Sequence, residues 1–433
     1  MIVRGPVLVL VLLGLLPTAL LPDRAGVVAA WWVAGVAVLV AADVLLAAAP
    51  RSLQVSRGGV PQVRLHEETS STLTLTNPGS RRVRGVVRDA WVPSAGADGV
   101  RHTVDLPAGE RRRLTTTLRP TRRGDRPATG VTVRTHGPLG LAGRQATLEV
   151  PGAVRSLPPF RSRRHLPGAL ARLRQLDGRS AVRTRGQGTE FDSLRDYVEG
   201  DDVRSIDWRA TARRQHVVVR TWQPERDRRV VLVLDTSRTS AARVGDEPRL
   251  DAAMDAALLL AALASRAGDR VDLIAGDRVV RARVGGGSDR GALLHQLVSA
   301  LAPLEPVLLE ADWRRLAGAI TAITRRRALV VLLTPLDPAA VEEGLLPVLP
   351  SLTAHHRVVV ASVADPELAR LRTDLSGLEQ VYDATAAERT EELRHRTALG
   401  LSQLGVTVLD ETPEDLPLAL VDHYLALKAQ GLL

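Results

Sequence analysis

Two long apolar runs open the chain: Gly5 to Leu21 holds no charged residue, and Gly26 to Ala49 holds only Asp43. As helices at 1.5 Å per residue they would be about 25 Å and about 36 Å long, against a hydrocarbon core of about 30 Å. Pro22-Asp23-Arg24 reads as the tight turn between them. Trp31 and Trp32 fall near that turn, where amphipathic rings favour a membrane interface. Arg4 precedes the first run, and Arg51, Arg57 and Arg64 follow the second. The bias of basic residues toward the inner side predicts a two-pass anchor over residues 1–50 in the plasma membrane, with the soluble domains cytoplasmic. A signal peptide is the alternative for residues 1–22, although no small-x-small cleavage site follows. Asp43, in the cytoplasmic half of its helix, is expected to reach headgroup water or to pair with Arg51.

Period-two alternation replaces the apolar runs after residue 50. Thr72-Leu73-Thr74-Leu75-Thr76 ends at Asn77-Pro78-Gly79, and Val83–Val92, Val100–Leu106, Arg113–Leu118 and Val131–Thr135 follow, separated by turn residues. Short strands at this spacing predict an antiparallel sandwich of immunoglobulin or fibronectin type over residues 51–155. The Arg- and Pro-rich stretch 156–185 reads as a linker with a short helical piece near Ala169–Leu176. From Arg229 onward strands alternate with helix-compatible sequence. The run Val230-Val231-Leu232-Val233-Leu234 suits a strand buried on both faces of a parallel sheet. Leu250, Met254, Ala257, Leu258 and Ala261 recur at helical spacing. Further strands are predicted at Val271–Ala275, Ala328–Leu333, Val358–Val363 and Val406–Leu409, making residues 229–433 a doubly wound α/β domain.

Composition narrows the chemistry. The 433-residue chain has no cysteine, so disulfides, thiolate metal sites and cysteine nucleophiles are excluded. Its net charge of +10 invites a nucleic-acid reading. Against that, the basic residues are scattered arginines (Lys428 is the only lysine) and aromatics make up 3%, without the interleaved basic and stacking pattern of a nucleic-acid face. Juxtamembrane arginine is better matched to an anionic lipid bilayer.

The first predicted α/β strand ends in Asp235-Thr236-Ser237-Arg238-Thr239. A carboxylate followed by hydroxyls two and four residues on can converge as hard oxygen ligands, which suit Mg²⁺ with water completing the shell. The alternative is that Asp235 and Ser237 only satisfy backbone groups of the loop. The stretch resembles the D-x-S-x-S metal-ion-dependent adhesion motif of von Willebrand A domains, with Thr239 in the last place. The preceding segment, Gly188-Thr189-Glu190-Phe191, Leu194-Arg195-Asp196-Tyr197, Gly200-Asp201-Asp202 and Arg204-Ser205-Ile206-Asp207-Trp208, resembles the signature of the domain of unknown function 58 family. The two-helix anchor, Arg122-Arg123-Gly124 with Gly137-Pro138-Leu139-Gly140-Leu141, and the ending Tyr424-Leu425-Ala426-Leu427-Lys428 are similar to that family as well.

This resemblance implies a membrane-associated partner of AAA+ ATPases of the MoxR type, with no established enzymatic activity. It also implies a binding domain whose metal reserves a coordination place for a partner's carboxylate. In von Willebrand A domains a Thr and an Asp from later loops complete the site. Here the later strand ends Thr334-Pro335-Leu336-Asp337, so proline stands where the acid is expected, and Asp337 reaches in only if the loop bends. The candidate metal set is therefore Asp235, Ser237, Thr239, Thr334 and Asp337. Residues 186–228 are expected to form a charged flap packed on the α/β domain. Its candidate partner-binding residues are Arg195, Asp196, Tyr197, Asp201, Asp202, Arg204, Asp207 and Trp208.

Enzyme readings find little support. Gly285–Gly291 lacks the Gly-Lys-Ser/Thr end of a P-loop and reads as a hairpin or loop, and His66-Glu67-Glu68 lacks the second His of a zinc motif. No G-x-S-x-G elbow is present. The expected function is a non-catalytic scaffold that recruits an ATPase or its client to the membrane. The alternative is a structural component of envelope assembly that binds through its β module.

Overall fold

The computed structural model describes residues 2–59, 61–180, 190–199, 201–223, 228–285 and 290–433, and the chain divides into two compact units, Met1–Leu157 and Pro158–Leu433. The apolar N-terminus and the β-rich region thus form one unit rather than two.

In the first unit, the helix Ala25–Leu46 has 22 residues, about 33 Å at 1.5 Å per residue. The segment Pro22–Ser52 around it is long and apolar enough to cross a membrane. It is the one such span among the described residues. The first apolar run is shorter and broken: helices Gly5–Leu13 and Leu15–Leu20 meet at Gly14. The break has a packing reason. A Cβ on Gly14 would lie 2.4 Å from the Trp32 ring, so only glycine lets the indole close on the helix. The Gly14 N–H turns to the Val11 carbonyl, and the Trp32 indole N–H donates to the Leu10 carbonyl at 2.8 Å. Trp31 is 75% exposed while Trp32 seals this contact. Trp32→Phe should therefore leave a carbonyl unpaired and cost about 1 kcal/mol. Denaturant unfolding in detergent checks this, and an effect no larger than that of Trp31→Phe would refute it.

The remainder of the unit is two facing sheets. Gln54–Arg57, Thr69–Thr76, Ala97–Asp98 and Arg111–Leu118 make a four-stranded sheet. A seven-stranded sheet includes Val83–Trp91, Arg101–Leu106, Gly124–His136 and Ala142–Leu148. Leu73, Leu75 and Leu114 from the first meet Val83, Val87, Val104, Val131 and Val133 from the second, as the alternation requires. The strands missed from the sequence, such as Gln62–Arg64 and Ala153–Leu157, are short, and these two pair in parallel across 93 residues of chain.

The second unit begins in the stretch read as a linker, and that reading is corrected. Ser156 and Leu157 already belong to a sheet, and α1 (Leu166–Ser180) packs against the α/β unit with Ala169 and Leu173 buried at i, i+4 spacing. Residues 181–185 lie outside the described residues. Six strands then form one sheet: β1 (Arg229–Asp235), β2 (Arg270–Gly276), β3 (Val280–Val284), β4 (Leu329–Leu333), β5 (Arg357–Val363) and β6 (Thr407–Glu411). Their order is β3-β2-β1-β4-β5-β6, parallel throughout except β3, which runs antiparallel to β2.

Both faces are covered. Val231 and Val233 share a core with Trp313, Leu316 and Ile320 of α3 (Trp313–Ile323), while α2 (Arg249–Arg266) packs on β1, β2 and β5 with nearly every residue from Leu250 to Ser265 buried. This explains the continuous apolar run of β1, buried from both sides. The long helix α4 (Leu378–Gln403) and the closing helix α5 (Leu416–Ala429) both pack on β6. The chain leaves β1 toward β2 on one side and later lays β4 on the other, so the crevice between β1 and β4 is the switch point where ligands of open α/β sheets gather.

Candidate functional site

β1 delivers Asp235 to that crevice, and the loop after it folds back over the carboxylate. The Ser237 N–H donates to Asp235 Oδ1 at 2.8 Å, and the Thr239 hydroxyl donates to Oδ2 at 3.1 Å. Across the switch point, the Thr334 hydroxyl at the end of β4 donates to the same Oδ2 at 2.7 Å. Ser237 Oγ lies 3.1 Å from Thr239 Oγ1. Four of the five residues proposed as metal ligands therefore converge, three from one short loop and one from 99 residues downstream. They line a cleft of about 270 Å³ with Arg238, Glu310, Trp313 and Pro335.

Asp337, the fifth, does not join them, and the expectation for it is corrected. Its Oδ1 accepts the Ala340 N–H at 3.0 Å and starts the short helix Pro338–Ala340, with Pro338 at the first helical position. An Asp followed by Pro is a strong helix start, so the local cap takes the carboxylate. The loop is also pinned where it leaves β4: Thr334 N–H donates to the Ala361 carbonyl and Leu336 N–H to the buried Ser362 hydroxyl. Arg238 approaches Asp337 Oδ2 at 3.9 Å but is held more closely by Glu310, at 2.7 Å.

The electrostatics of the cluster are set by burial. Asp235 is 1% exposed, and burial pushes its carboxyl above the usual range against the hydrogen bonds from Ser237, Thr334 and Thr239. Among the described residues no guanidinium or ammonium group pairs with it. One residue away the opposite holds. Asp277, at the end of β2, accepts from the Thr236 hydroxyl at 2.8 Å and from Arg281 at 2.8 Å. Burial pushes Asp277 up, but Arg281, Thr236 and the Val279 N–H together hold it below its ordinary value. The ends of the neighbouring strands β1 and β2 thus carry one uncompensated carboxylate and one compensated one. Sequence reading missed Asp277, although its place just beyond a β-strand of the same sheet was the available signal.

The flap is a hairpin of Glu190–Asp196 and Val218–Gln223 carrying the helix Trp208–Arg214. Its acids act locally. Asp201 takes the Arg195 guanidinium at 2.5 Å and the Val198 N–H at 3.0 Å; Asp202 caps Val203–Ser205; Asp207 caps Trp208–Arg214 and takes Arg220 at 2.8 Å. Asp196 pairs with His216 at 2.9 Å. Tyr197 is half-buried and Arg204 is exposed. Trp208, a candidate partner-binding residue, is 68% exposed. Ile206, bridged to buried Val219, holds the turn from within. Gly188, Thr189 and Gly200 of the signature, and residues 286–289 of the glycine-rich stretch, lie outside the described residues.

Comparisons with known proteins extend the sequence reading over part of the chain. An uncharacterized protein of Mycobacterium tuberculosis (Rv1480) and one of Mycobacterium bovis (Mb1516) are each 29% identical over 183 residues, covering 42% of this chain and 56% of theirs. The match thus spans little more than half the length of these relatives. Among solved structures, a PapD-like domain of human CEP192 covers 25% of this chain and 90% of its own at 16% identity and a TM-score of 0.19. The CARDB domain of a Pyrococcus furiosus protein covers 24% and 94% at 20% identity and a TM-score of 0.17. At such scores neither bears on the site. The family described as protein of unknown function DUF58 matches residues 193–400, a span that holds most of the flap and the whole Asp235 cluster.

Proposed function

We propose that the chain is a membrane-anchored, non-catalytic binding scaffold whose second unit is von Willebrand A-like and captures a partner at the Asp235 cluster with Mg²⁺. The observation that carries this reading is the convergence of Asp235, Ser237, Thr239 and Thr334 at the switch point, on a buried carboxylate that no cationic side chain among the described residues pairs with. The donors are all hard oxygen, the kind Mg²⁺ prefers, and the cleft leaves room for water and for a partner's carboxylate. A bound cation would supply the positive charge that Asp235 lacks.

The partner class, an AAA+ ATPase of the MoxR type or its client, rests on the family resemblance. The flap adds apolar side chains of the kind that dominate interfaces: Trp208, Val198 and Val203 are all exposed on it, with Arg209 and Arg213 near Trp208 in the chain. The arginine flanks support a plasma-membrane anchor with the folded units on the cytoplasmic side. Packing of Val7 and Leu10 beside Val36, Val40 and Val44 supports a helix hairpin, hence a two-pass anchor.

The test is affinity purification of the detergent-solubilised protein with Mg²⁺, with chelator, and as Asp235→Ala. An ATPase retained at least tenfold better by the Mg²⁺-loaded wild type, a gap of about 1.4 kcal/mol, is the expected result. Equal retention in all three samples would refute the metal-dependent reading.

A further inference from the structure

The turn between strands Gly124–His136 and Ala142–Leu148 has an unusual neighbour. Asp43, on the apolar helix Ala25–Leu46, is 0% exposed and points into it. Its Oδ1 accepts the Leu139 N–H at 2.8 Å, and its Oδ2 accepts the Leu141 and Ala142 N–H groups, both at 2.8 Å. The expected pairing with Arg51 is thereby corrected: the intramembrane acid is neutralised by backbone dipoles rather than by a guanidinium.

With Asp43 in place every N–H of the turn is accounted for. Gly137 N–H donates to the Ala142 carbonyl at 3.1 Å, Gly140 N–H to the Gly137 carbonyl at 3.2 Å, and Pro138 has none to satisfy. The Leu141 carbonyl accepts the Arg4 N–H at 2.9 Å. A soluble turn has water for such groups and needs no such closure. A turn at membrane depth does need it, because an unpaired N–H in a lipid environment costs several kcal/mol.

Position and surface agree with that depth. Leu141 and Ala142 pack on Val36 and Val40, and Val36 lies ten residues, about 15 Å, back from the helix end at Leu46. The apex itself is apolar and uncovered, with Leu139 55% exposed and Pro138 exposed. Cations stand beside the turn and at the end of the neighbouring helix. Arg144 donates to the Val44 carbonyl and Arg81 to the Leu45 carbonyl, each at 3.0 Å, and Arg4 stands beside Gly140.

We propose that the 137–142 turn is a membrane-embedded tip, a contact separate from the helices. Pro138 and Leu139 enter the boundary between headgroups and acyl chains, and Arg4, Arg81 and Arg144 meet the anionic headgroups of that leaflet. The sandwich is thereby held at a fixed height on the bilayer instead of swinging from a flexible stalk. The inference rests on the proposed membrane anchoring by the helix Ala25–Leu46, but not on the Asp235 cluster.

The absence of cysteine allows a clean experiment on the full chain. Leu139→Cys, Leu39→Cys and Asp98→Cys carry a nitroxide label in lipid nanodiscs, and accessibility to oxygen and to a water-soluble nickel chelate is read by electron paramagnetic resonance. The expected result is a several-fold higher oxygen-to-nickel ratio at 139 and at 39 than at 98. It should be larger at 139 with phosphatidylglycerol than with phosphatidylcholine alone. A label at 139 as water-accessible as one at 98, with 39 embedded, overturns the tip and leaves the anchor standing; an apolar protein partner would then be the better occupant. Water access at 39 as well overturns both readings. Equal depth in the two lipids refutes the headgroup contacts.

Discussion

Asp43→Ala should destabilise the first unit by about 4 kcal/mol, because it strands three backbone donors at once. Leu139, Leu141 and Ala142 lose their acceptor together, and the bonds from Leu141 and Ala142 are buried. Each buried donor left unpaired costs about 1–3 kcal/mol, and the relaxation of a short turn recovers only part of the sum. Asp43→Asn should fall between, since its single carbonyl oxygen can replace one carboxylate oxygen while its amide turns two hydrogens toward other hydrogens. The fit is close enough that Gly137 has no alternative either: a Cβ there would sit 2.1 Å from Asp43 Oδ1. Thermal unfolding of the sheet signal in detergent, with Asp23→Ala in the exposed turn as control, measures the effect. A loss within about 0.5 kcal/mol of the control would show that the contact contributes only what a surface group does.

Asp235→Asn should have the opposite sign in the metal-free protein. Burial raises the folded-state pKa of Asp235 above its unfolded value, so the native state holds the proton more tightly. The stability linked to this group is therefore fully present below the ordinary carboxylate range, about pH 4, and is lost as pH rises through the raised folded value. Asparagine keeps the shape without the charge. Its carbonyl can accept the Ser237 N–H, and its amide can donate to the Thr239 and Thr334 hydroxyls, which rotate to accept. The variant should thus be more stable than metal-free wild type at neutral pH and level with it in acid.

Mg²⁺ should reverse the ranking, because a ligand stabilises only the protein that binds it. The wild type gains with added Mg²⁺, increasingly as pH rises, and Asp235→Asn does not. Thermal unfolding from about pH 4 to about pH 8, with Mg²⁺ or chelator, gives both results in one series. Equal stabilisation of the two proteins by Mg²⁺ would place any metal elsewhere. A less stable Asp235→Asn would mean that the carboxylate is required by the loop itself.

The legibility of this chain follows the range of its interactions. Strands such as Thr69–Thr76 and Arg229–Asp235 were readable because their burial is written in a two-residue or continuous apolar period. Asp235, Ser237 and Thr239 were readable as a group because they lie within five consecutive residues at one strand end. Asp337 is followed by Pro338, a pair that signals a helix cap, and that local use of the carboxylate wins over the distant cluster. The linker at 156–185 was misread because arginine and proline stand out in its composition, while among the described residues of its helix only Ala169 and Leu173 are buried.

What the sequence determined by itself is local: which segments are apolar enough to cross a membrane, which alternate as strands, and where a carboxylate and two hydroxyls stand at a strand's end. What only the tertiary structure decided is closure over distance. Thr334 reaches Asp235 across 99 residues because β4 is laid beside β1, and Asp43 finds its three donors 96 to 99 residues away because a strand hairpin folds back onto the helix. Buried polar groups must find partners wherever the chain brings them, and no local period encodes that choice.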